Sequence, residues 1–447
     1  MATTTNTTTA LSELDRELAE KRKMFLEDFE NGNSKNWIIV MGNEAGDLDS
    51  LASSIAYSYF ASRSSSPSSA SYIPLQLTPR SDFYLRPENL ESLDLSSISP
   101  ASLLTIDDLS SPSTLESKFV LVDHNSLLPA FRTSTTPTED DGRVLAIIDH
   151  HVDEEQHLSA NPRIISLIGS CSSLVVNHFL PTTATTENKK EKDVPRGLAD
   201  LLISSVLIDT RLKPIQKGGK ATPQDLEAVS RLIPYSSFSN PTPGEGGGGE
   251  VGTLSEEEVM QGLKLRGEKL SDLKEDVSWM NGWDLLRRDY KEYITDSTEG
   301  IKYGLSTVPL GFNVWLDKFE EGSEVSGLLE DVRAWMRERG LKLCGVLTSY
   351  THIKKKTGEE GKHRRELLVL TNERRFDVVF EGLEGEEVLE LGKWKEAKNY
   401  GDVDQGETDE GVEWERWKVW QQGNTKATRK VVAPVLKELV HRALEEK

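Results

Sequence analysis

The sequence predicts an α/β protein with two domains, the first built on a parallel β-sheet flanked by helices and the second a smaller unit of mixed α and β structure. Three observations predict it. Apolar, β-branched runs alternate with helical patterns through the first half, as a parallel sheet with crossover helices requires. From Ser236 to Gly252 the chain turns to Ser, Pro, Gly and Glu, and no periodicity survives. The length, 447 residues, exceeds what one hydrophobic core usually serves.

Taken in order, a Thr-rich tract, Met1 to Ala10, precedes residues 11–30, where Leu11, Leu14, Leu18 and Phe25 form one helical stripe. The first domain is expected over 31–235. Its strands are 37–41, 72–77, 119–122, 144–148 and 163–168, and its helices include 48–62, 172–179 and 198–208. Residues 181–195, rich in Thr, Lys and Glu, read as a surface loop. Residues 236–253 form the expected linker, and 254–447 the second domain. There, 254–273 and 324–339 have helical spacing, while 304–308, 341–349, 366–370 and 377–380 look like strands. An acidic surface loop at 401–411 and a closing helix at 431–444 complete the reading, and no internal repeat is found.

Composition narrows the function classes. With 36% hydrophobic and 28% charged residues the chain falls in the globular class. No stretch approaches the roughly 20 apolar residues of a membrane span, and the acidic start has no apolar signal core, so a cytoplasmic protein is expected. The two cysteines, Cys171 and Cys344, are expected to be small buried hydrophobes rather than a disulfide. A net charge of −21 argues against a surface that attracts duplex nucleic acid or acidic membranes. A polyanionic substrate would need a local cationic pocket.

Polar groups gather where the expected strands end. Strand 37–41 runs into Gly42-Asn43-Glu44-Ala45-Gly46-Asp47-Leu48-Asp49-Ser50 and then a helix, outside the carboxyl end of a strand, where open α/β sheets place ligands. Asp47 and Asp49 can aim both carboxylates at one cation, although helix capping by Asp and Ser is the plain alternative. Two further strands end in Asp123-His124-Asn125 and Asp149-His150-His151. A single strand ending in Asp is ordinary turn chemistry, but three in succession point to a metal site of oxygen and imidazole donors. Such donors suit magnesium, manganese, cobalt or zinc. Asp209 ends an apolar helix, where an acid opposes the helix dipole, a choice expected where function overrides stability.

These residues resemble the DHH phosphoesterase superfamily, named for the triplet seen here as Asp149-His150-His151. Its first motif matches Gly42 to Ser50, its second Val122-Asp123-His124 and its fourth Leu207-Ile208-Asp209-Thr210, while Gly169-Ser170-Cys171-Ser172-Ser173 is similar to the segment that follows the triplet. The second domain resembles the one shared by family II inorganic pyrophosphatases, exopolyphosphatases and prune, through Thr428-Arg429-Lys430-Val431-Val432-Ala433-Pro434, with Thr in place of the usual Ser. Lys362-His363-Arg364-Arg365 is similar to a basic segment of fungal exopolyphosphatases. Pyrophosphatases of this type start the first motif with His, and this chain has Asn43, a weaker donor that suits harder ions.

The resemblance implies an active site in the interdomain cleft with two divalent cations, magnesium or manganese, with cobalt and zinc as further candidates. Asp47 and Asp123 would hold one, with Asn43 nearby. Asp49, Asp123, His150 and Asp209 would hold the other, Asp123 bridging. His151 would contact phosphate or the leaving oxygen, and Asp149 would orient a ligand imidazole. Arg429, Lys430 and Arg365 would clamp non-reacting phosphates. The implied activity is an exopolyphosphatase releasing orthophosphate from inorganic polyphosphate. The alternatives are a pyrophosphatase, a prune-like phosphodiesterase or short-chain polyphosphatase, and a catalytically silent scaffold of the same fold.

Overall fold

Every residue of the first strand, β1 (Trp37–Met41), is buried, because the strand serves two cores at once. Ile38 and Val40 enter the core on one face of the sheet, and Trp37, Ile39 and Met41 the core on the other. A strand buried on both faces reads as a continuous apolar run, and this is the pattern the sequence shows. Each such side chain removed from water stabilises the fold by about 1.5–3 kcal/mol.

The computed structural model describes residues 12–64, 71–133, 142–180, 194–239, 254–295, 300–353, 360–401, 404–408 and 414–445. It divides into two units, Met1–Lys274 and Glu275–Lys447. In the first, α1 (Glu13–Glu30) leads to β1, then α2 (Leu48–Ser64), β2 (Ser71–Gln76), α3 (Pro87–Leu95), β3 (Leu104–Thr105), β4 (Lys118–Val122), β5 (Val144–Asp149) and β6 (Arg163–Ile165). Helices α4 (Cys171–Phe179), α5 (Arg196–Thr210), α6 (Pro223–Leu232) and α7 (Glu256–Glu275) follow. The strands pair in parallel in the order β3-β2-β1-β4-β5-β6.

That order positions the site. The chain builds outward from β1 through β2 to β3, then returns to the other side of β1 with β4. The reversal between β1 and β4 is a topological switch point, where such sheets open a crevice at the strands' carboxyl ends. Because β1, β4 and β5 are neighbours, the residues that follow them are neighbours too.

The second unit holds α8 (Gly282–Arg288), β7 (Tyr290–Ile294), β8 (Lys302–Val308), α9 (Phe312–Leu316), α10 (Glu324–Arg339), β9 (Leu343–Thr348), β10 (Tyr350–Ile353), β11 (Glu360–Thr371), α11 (Asp377–Gly385), β12 (Leu391–Lys393), β13 (Gln405–Thr408), β14 (Glu415–Gln422) and α12 (Arg429–Glu445). Its mixed sheet runs β12-β14-β11-β9-β8-β7. Among the described residues no helix is long and apolar enough to cross a membrane. Both cysteines are buried and unbridged.

The structure departs from the sequence reading in four places. Residues 377–380, expected as a strand, open helix α11: Val379, Phe380 and Leu383 form one buried face in the same core as α12's Leu436 and Leu439, so helical spacing over nine residues outweighs the local β-branched run. Strand β6 stops at Ile165 rather than continuing to Ile168, because the chain turns there to present Ile168 O to His150. Within the expected loop 401–411, Gln405–Thr408 pairs antiparallel with β14. Helix α7, expected in the second domain, falls in the first unit, where Val259, Leu263 and Leu270 join the core of α2 and α5. Residues 240–253 of the expected linker, the loop 181–193 and 409–411 lie outside the described residues.

Candidate active site

The loop after β1 is shaped by Ser50, in the first turn of α2. Its hydroxyl accepts from Asn43 N at 3.0 Å and donates to Asp123 Oδ2 at 2.7 Å. This approach requires glycine at position 42, where a Cβ would lie 2.4 Å from the Ser50 Cβ. Asp47 Oδ1 accepts from Ser50 N at 3.1 Å, so it does cap α2.

Asp123 follows β4 with a φ of 61°, left-handed backbone that a non-glycine residue adopts at a cost of about 1 kcal/mol or more. Its N–H donates to Ile148 O at 3.0 Å, across the neighbouring strand. Oδ2 receives Asn43 Nδ2 and Ser50 Oγ, each at 2.7 Å. Oδ1 is buried with no hydrogen-bond partner among the described residues, though it lies 3.2 Å from His150 Nε2 and 3.6 Å from His151 Nδ1. Asp123, His150 and His151 thus offer ligand atoms within 4.8 Å of one another.

His150 follows β5, and its Nδ1 lies 3.2 Å from Ile168 O. With Nδ1 held there, Nε2 faces Asp123 Oδ1 at 3.2 Å and Asp49 Oδ2 at 3.9 Å. Metal-ligating histidines are oriented by such a bond on the opposite nitrogen. Asp149 does not hold this imidazole. Its Oδ1 accepts from the backbone N–H of His150 at 2.7 Å and of His151 at 3.1 Å, and pairs with His151 Nδ1 at 2.7 Å. Asn125 Nδ2 donates to Oδ2 at 2.6 Å. The carboxylate expected to orient a ligand imidazole orients His151 instead.

Asp49 sits on the N-terminus of α4. Oδ2 accepts from Cys171 N at 2.6 Å, while Oδ1 accepts from Ser172 N at 2.8 Å and from the hydroxyls of Ser170 and Ser205, both at 2.9 Å. Ser53 and Ser205 both reach the Ser172 hydroxyl, at 3.1 and 2.8 Å. Helix dipole and hydroxyls together hold this buried carboxylate in place. None of Ser53, Ser205, Asn125 or the Ser50 hydroxyl was singled out from the sequence. The available signal was serine at inward positions of apolar helices, since Ser50, Ser53, Ser54 and Ser58 of α2 are all buried.

Asp209 lies in the last turn of α5, and two left-handed residues, Arg211 and Leu212, stop the helix after Thr210. Lys274 Nζ lies 3.9 Å from its Oδ1. Burial, and then the charge of Asp49, push the Asp209 carboxyl up. Asp123 is raised well above its usual range by burial and by Asp47. Burial opposes a charge on His150, but its contact with Asp123 and the charges of Asp49, Asp123 and Asp209 push it up to about 10. Asp149 goes the other way: burial opposes its charge, yet the His151 bond holds the carboxyl below the usual range.

Asp47, Asp49, Asp123 and Asp209 therefore share a field too negative for their number of cations, around one orphaned carboxylate oxygen. An oxygen-rich donor set with one oriented imidazole fits a hard or borderline divalent cation. Asn43 fits less directly. Its amide oxygen accepts from Ala45 N at 2.9 Å and its nitrogen faces Asp123, so in this structure it holds the carboxylate rather than offering a donor.

The expected phosphate-binding residues belong to the second unit. Arg365 is 8% exposed, and among the described residues its guanidinium makes one hydrogen bond, Nε to Thr425 O at 2.8 Å. Arg429, in the first turn of α12, is held by Asp289 through Nη2 to Oδ1 at 2.9 Å and Nη1 to O at 3.0 Å. Lys430 follows it on the helix.

Residues 37–206 match the DHH family N-terminal domain, and residues 268–439 match the DHHA2 domain. The chain is 30% identical over 437 residues to a Schizosaccharomyces pombe protein named "Putative exopolyphosphatase", covering 94% of this chain and 95% of that one. It is 27% identical over 306 residues to Exopolyphosphatase PRUNE1 of Rattus norvegicus, covering 67% of this chain and 57% of the rat protein. In fold it is similar to the crystal structure of a "Methanococcus jannaschii putative family II inorganic pyrophosphatase", with a TM-score of 0.52 at 18% identity, covering 90% of this chain and 99% of that one. With both domain matches and a relative aligned nearly end to end, this chain belongs to the DHH phosphoesterase superfamily of hydrolases, in the branch whose second domain is a DHHA2 domain.

Proposed function

We propose that this protein is a metal-dependent exopolyphosphatase that hydrolyses the terminal phosphoanhydride bond of inorganic polyphosphate and releases orthophosphate. The observation that carries the chemistry is the buried Asp123 Oδ1, which makes no hydrogen bond of good geometry among the described residues and lies 3.2 Å from the His150 imidazole nitrogen in the field of further carboxylates. The choice of substrate is supported by the name of the S. pombe relative, aligned over 95% of its length, and by Asn43 in place of a first-motif histidine.

Asp47 and Asp123 would hold one divalent cation, and Asp49, Asp123, His150 and Asp209 a second, magnesium or manganese being favoured over cobalt and zinc. When bound, such a pair neutralises phosphate charge and makes a water molecule more acidic. The chain's own groups do the rest. Asn43 and Ser50 fix Asp123 so that its second oxygen stays directed at the site. The helix N-terminus and serines fix Asp49. Asp149 fixes His151 through Nδ1, which leaves Nε2 to meet a phosphate oxygen or the leaving group. Arg365 and Arg429 suit bidentate phosphate contacts, and Lys430 a point charge.

The deciding experiment measures phosphate release from long polyphosphate, pyrophosphate and a cyclic nucleotide, with magnesium, with manganese and with chelator. Preference for long polyphosphate supports the proposal. Strong preference for pyrophosphate or for the cyclic nucleotide rejects it in favour of a pyrophosphatase or a prune-like phosphodiesterase. No turnover on any of them would leave a scaffold.

A further inference from the structure

The peptide joining Ile168 and Gly169 is gripped at both ends. Its carbonyl oxygen lies 3.2 Å from His150 Nδ1, and its N–H donates to Asp225 Oδ2 at 3.0 Å. Contact is close enough to require glycine, since a Cβ at position 169 would sit 2.7 Å from Asp225 Oδ2 and 2.4 Å from Thr210 Cγ2. Asp225 is fully buried.

Part of its environment is local. Thr222 N and Thr222 Oγ1 both donate to Asp225 Oδ2 at 2.7 Å, completing the capping box of α6. A capping box has no use for the third donor, which comes from the segment that follows the Asp-His-His triplet.

We infer that Asp225 is a positioning residue for His150, acting through the 168–169 peptide. This rests on His150 being a metal ligand. A carboxylate at the N–H end of an amide polarises it, so that the carbonyl oxygen becomes a stronger acceptor, and hydrogen bonds in a chain reinforce one another. The stronger acceptor holds the Nδ1–H of His150 and with it the ring orientation that keeps Nε2 facing Asp123 Oδ1 3.2 Å away. Ligand histidines commonly donate to a carboxylate or a backbone carbonyl. Here the two are in series, with the carboxylate one peptide removed.

The test compares Asp225→Asn, which keeps the shape and an acceptor oxygen but removes the charge, with Thr222→Val, which weakens the same helix cap and leaves the Gly169 contact. Three quantities are measured: the Mn²⁺ dissociation constant by calorimetry, the melting temperature, and the His150 Nδ1–H resonance in metal-free protein labelled at histidine nitrogen. Asp225→Asn should weaken Mn²⁺ binding about tenfold, the low end for outer partners of a ligand histidine, and move the Nδ1–H resonance upfield. Thr222→Val should lower the melting temperature and do neither. Asp225→Glu, which retains the charge, should recover most of the affinity.

Mn²⁺ binding within about twofold of wild type together with an unmoved resonance in Asp225→Asn would overturn the inference. So would equal losses of affinity in Asp225→Asn and Thr222→Val, which would reduce Asp225 to a cap. If His150→Ala bound Mn²⁺ as tightly as wild type, the ligand reading of His150 would fall and take the inference with it, whereas a failure confined to the Asp225 variants leaves that reading standing. Should the Asp225 variants not fold, a wild-type Nδ1–H resonance at the position of an unbonded imidazole would exclude the coupling.

Discussion

Asn43 donates its side-chain N–H to Asp123 Oδ2 at 2.7 Å, and the same nitrogen lies 3.1 Å from the Asp123 backbone oxygen. The residue at the first position of the first motif thus clamps the carboxylate at the centre of the site. Asn43→Leu, close in shape but without the amide, leaves Asp123 Oδ2 to Ser50 alone and Ala45 N without its acceptor. Turnover on polyphosphate should fall about 10- to 100-fold at saturating magnesium, as for other outer partners of metal ligands, with circular dichroism unchanged. A drop of less than threefold would mean that Ser50 suffices.

Removing Asp123 itself should separate stability from function. Asp123→Ala should abolish measurable phosphate release, because both proposed ions lose a shared ligand. Yet its ionised form is disfavoured by burial and by Asp47, so at pH 8 with chelator this variant should melt no lower than wild type. Near-normal turnover would refute the bridging role, and a clearly lower melting temperature would refute the electrostatic account.

The serine cage makes a graded prediction. Ser205→Ala deletes one of the donors to Asp49 Oδ1, a hydrogen bond to a charged group that typically contributes about 1.5–3 kcal/mol. Mn²⁺ affinity should weaken several-fold, while turnover at saturating metal changes little. Calorimetric titration of the purified variant checks it, and unchanged affinity would show that Asp49 is held well enough by α4.

Metal and stability should be linked. If the cations bind the folded chain only, Mn²⁺ at 100 times its dissociation constant stabilises by about 2.7 kcal/mol. Melting temperature should rise with Mn²⁺ in wild type and stay flat in Asp123→Ala. A flat wild-type response would argue against a metal site.

Away from the site, Asp108 ties α1 to the loop after β3. Arg22 Nη2 lies 2.5 Å from Oδ1 and Arg80 Nη2 2.9 Å from Oδ2. Burial works against its charge, but Arg22, the backbone N–H of Thr105 and Arg80 hold the carboxyl down at about 2, below the usual carboxylate range. A depressed folded value adds stability that is complete above about pH 4 and lost as pH falls through about 2. Asp108→Asn should be less stable by about 1 kcal/mol at pH 7, after allowing for solvent screening, and the two curves should converge near pH 2. A gap that persists at pH 2 would mean that shape rather than charge is at work.

Much was legible because it is written locally. Strands β1, β4 and β5 show in the sequence as uninterrupted apolar runs, since both faces are buried, and the acids and histidines lie directly after them. Helix α11 was misread because Asp377 to Phe380 is a β-prone run seen without the helix face it shares with Leu383. The glycine run likewise marks a connection but does not say which core the next apolar stripe, that of α7, enters.

The sequence by itself determined which chemistry is present: oxygen and imidazole donors at successive strand ends, in the pattern of one superfamily. Only the tertiary structure decided which atom of each side chain faces which partner. Strand order brought residues 43, 123 and 150 together across β1, β4 and β5, turned the Asn43 amide nitrogen rather than its oxygen toward Asp123, and gave Asp149 to His151 and Ile168 O to His150. The physical reason is that a hydrogen bond depends on distance and direction to a particular donor, and across 80 residues of sequence only the register of packed strands fixes either.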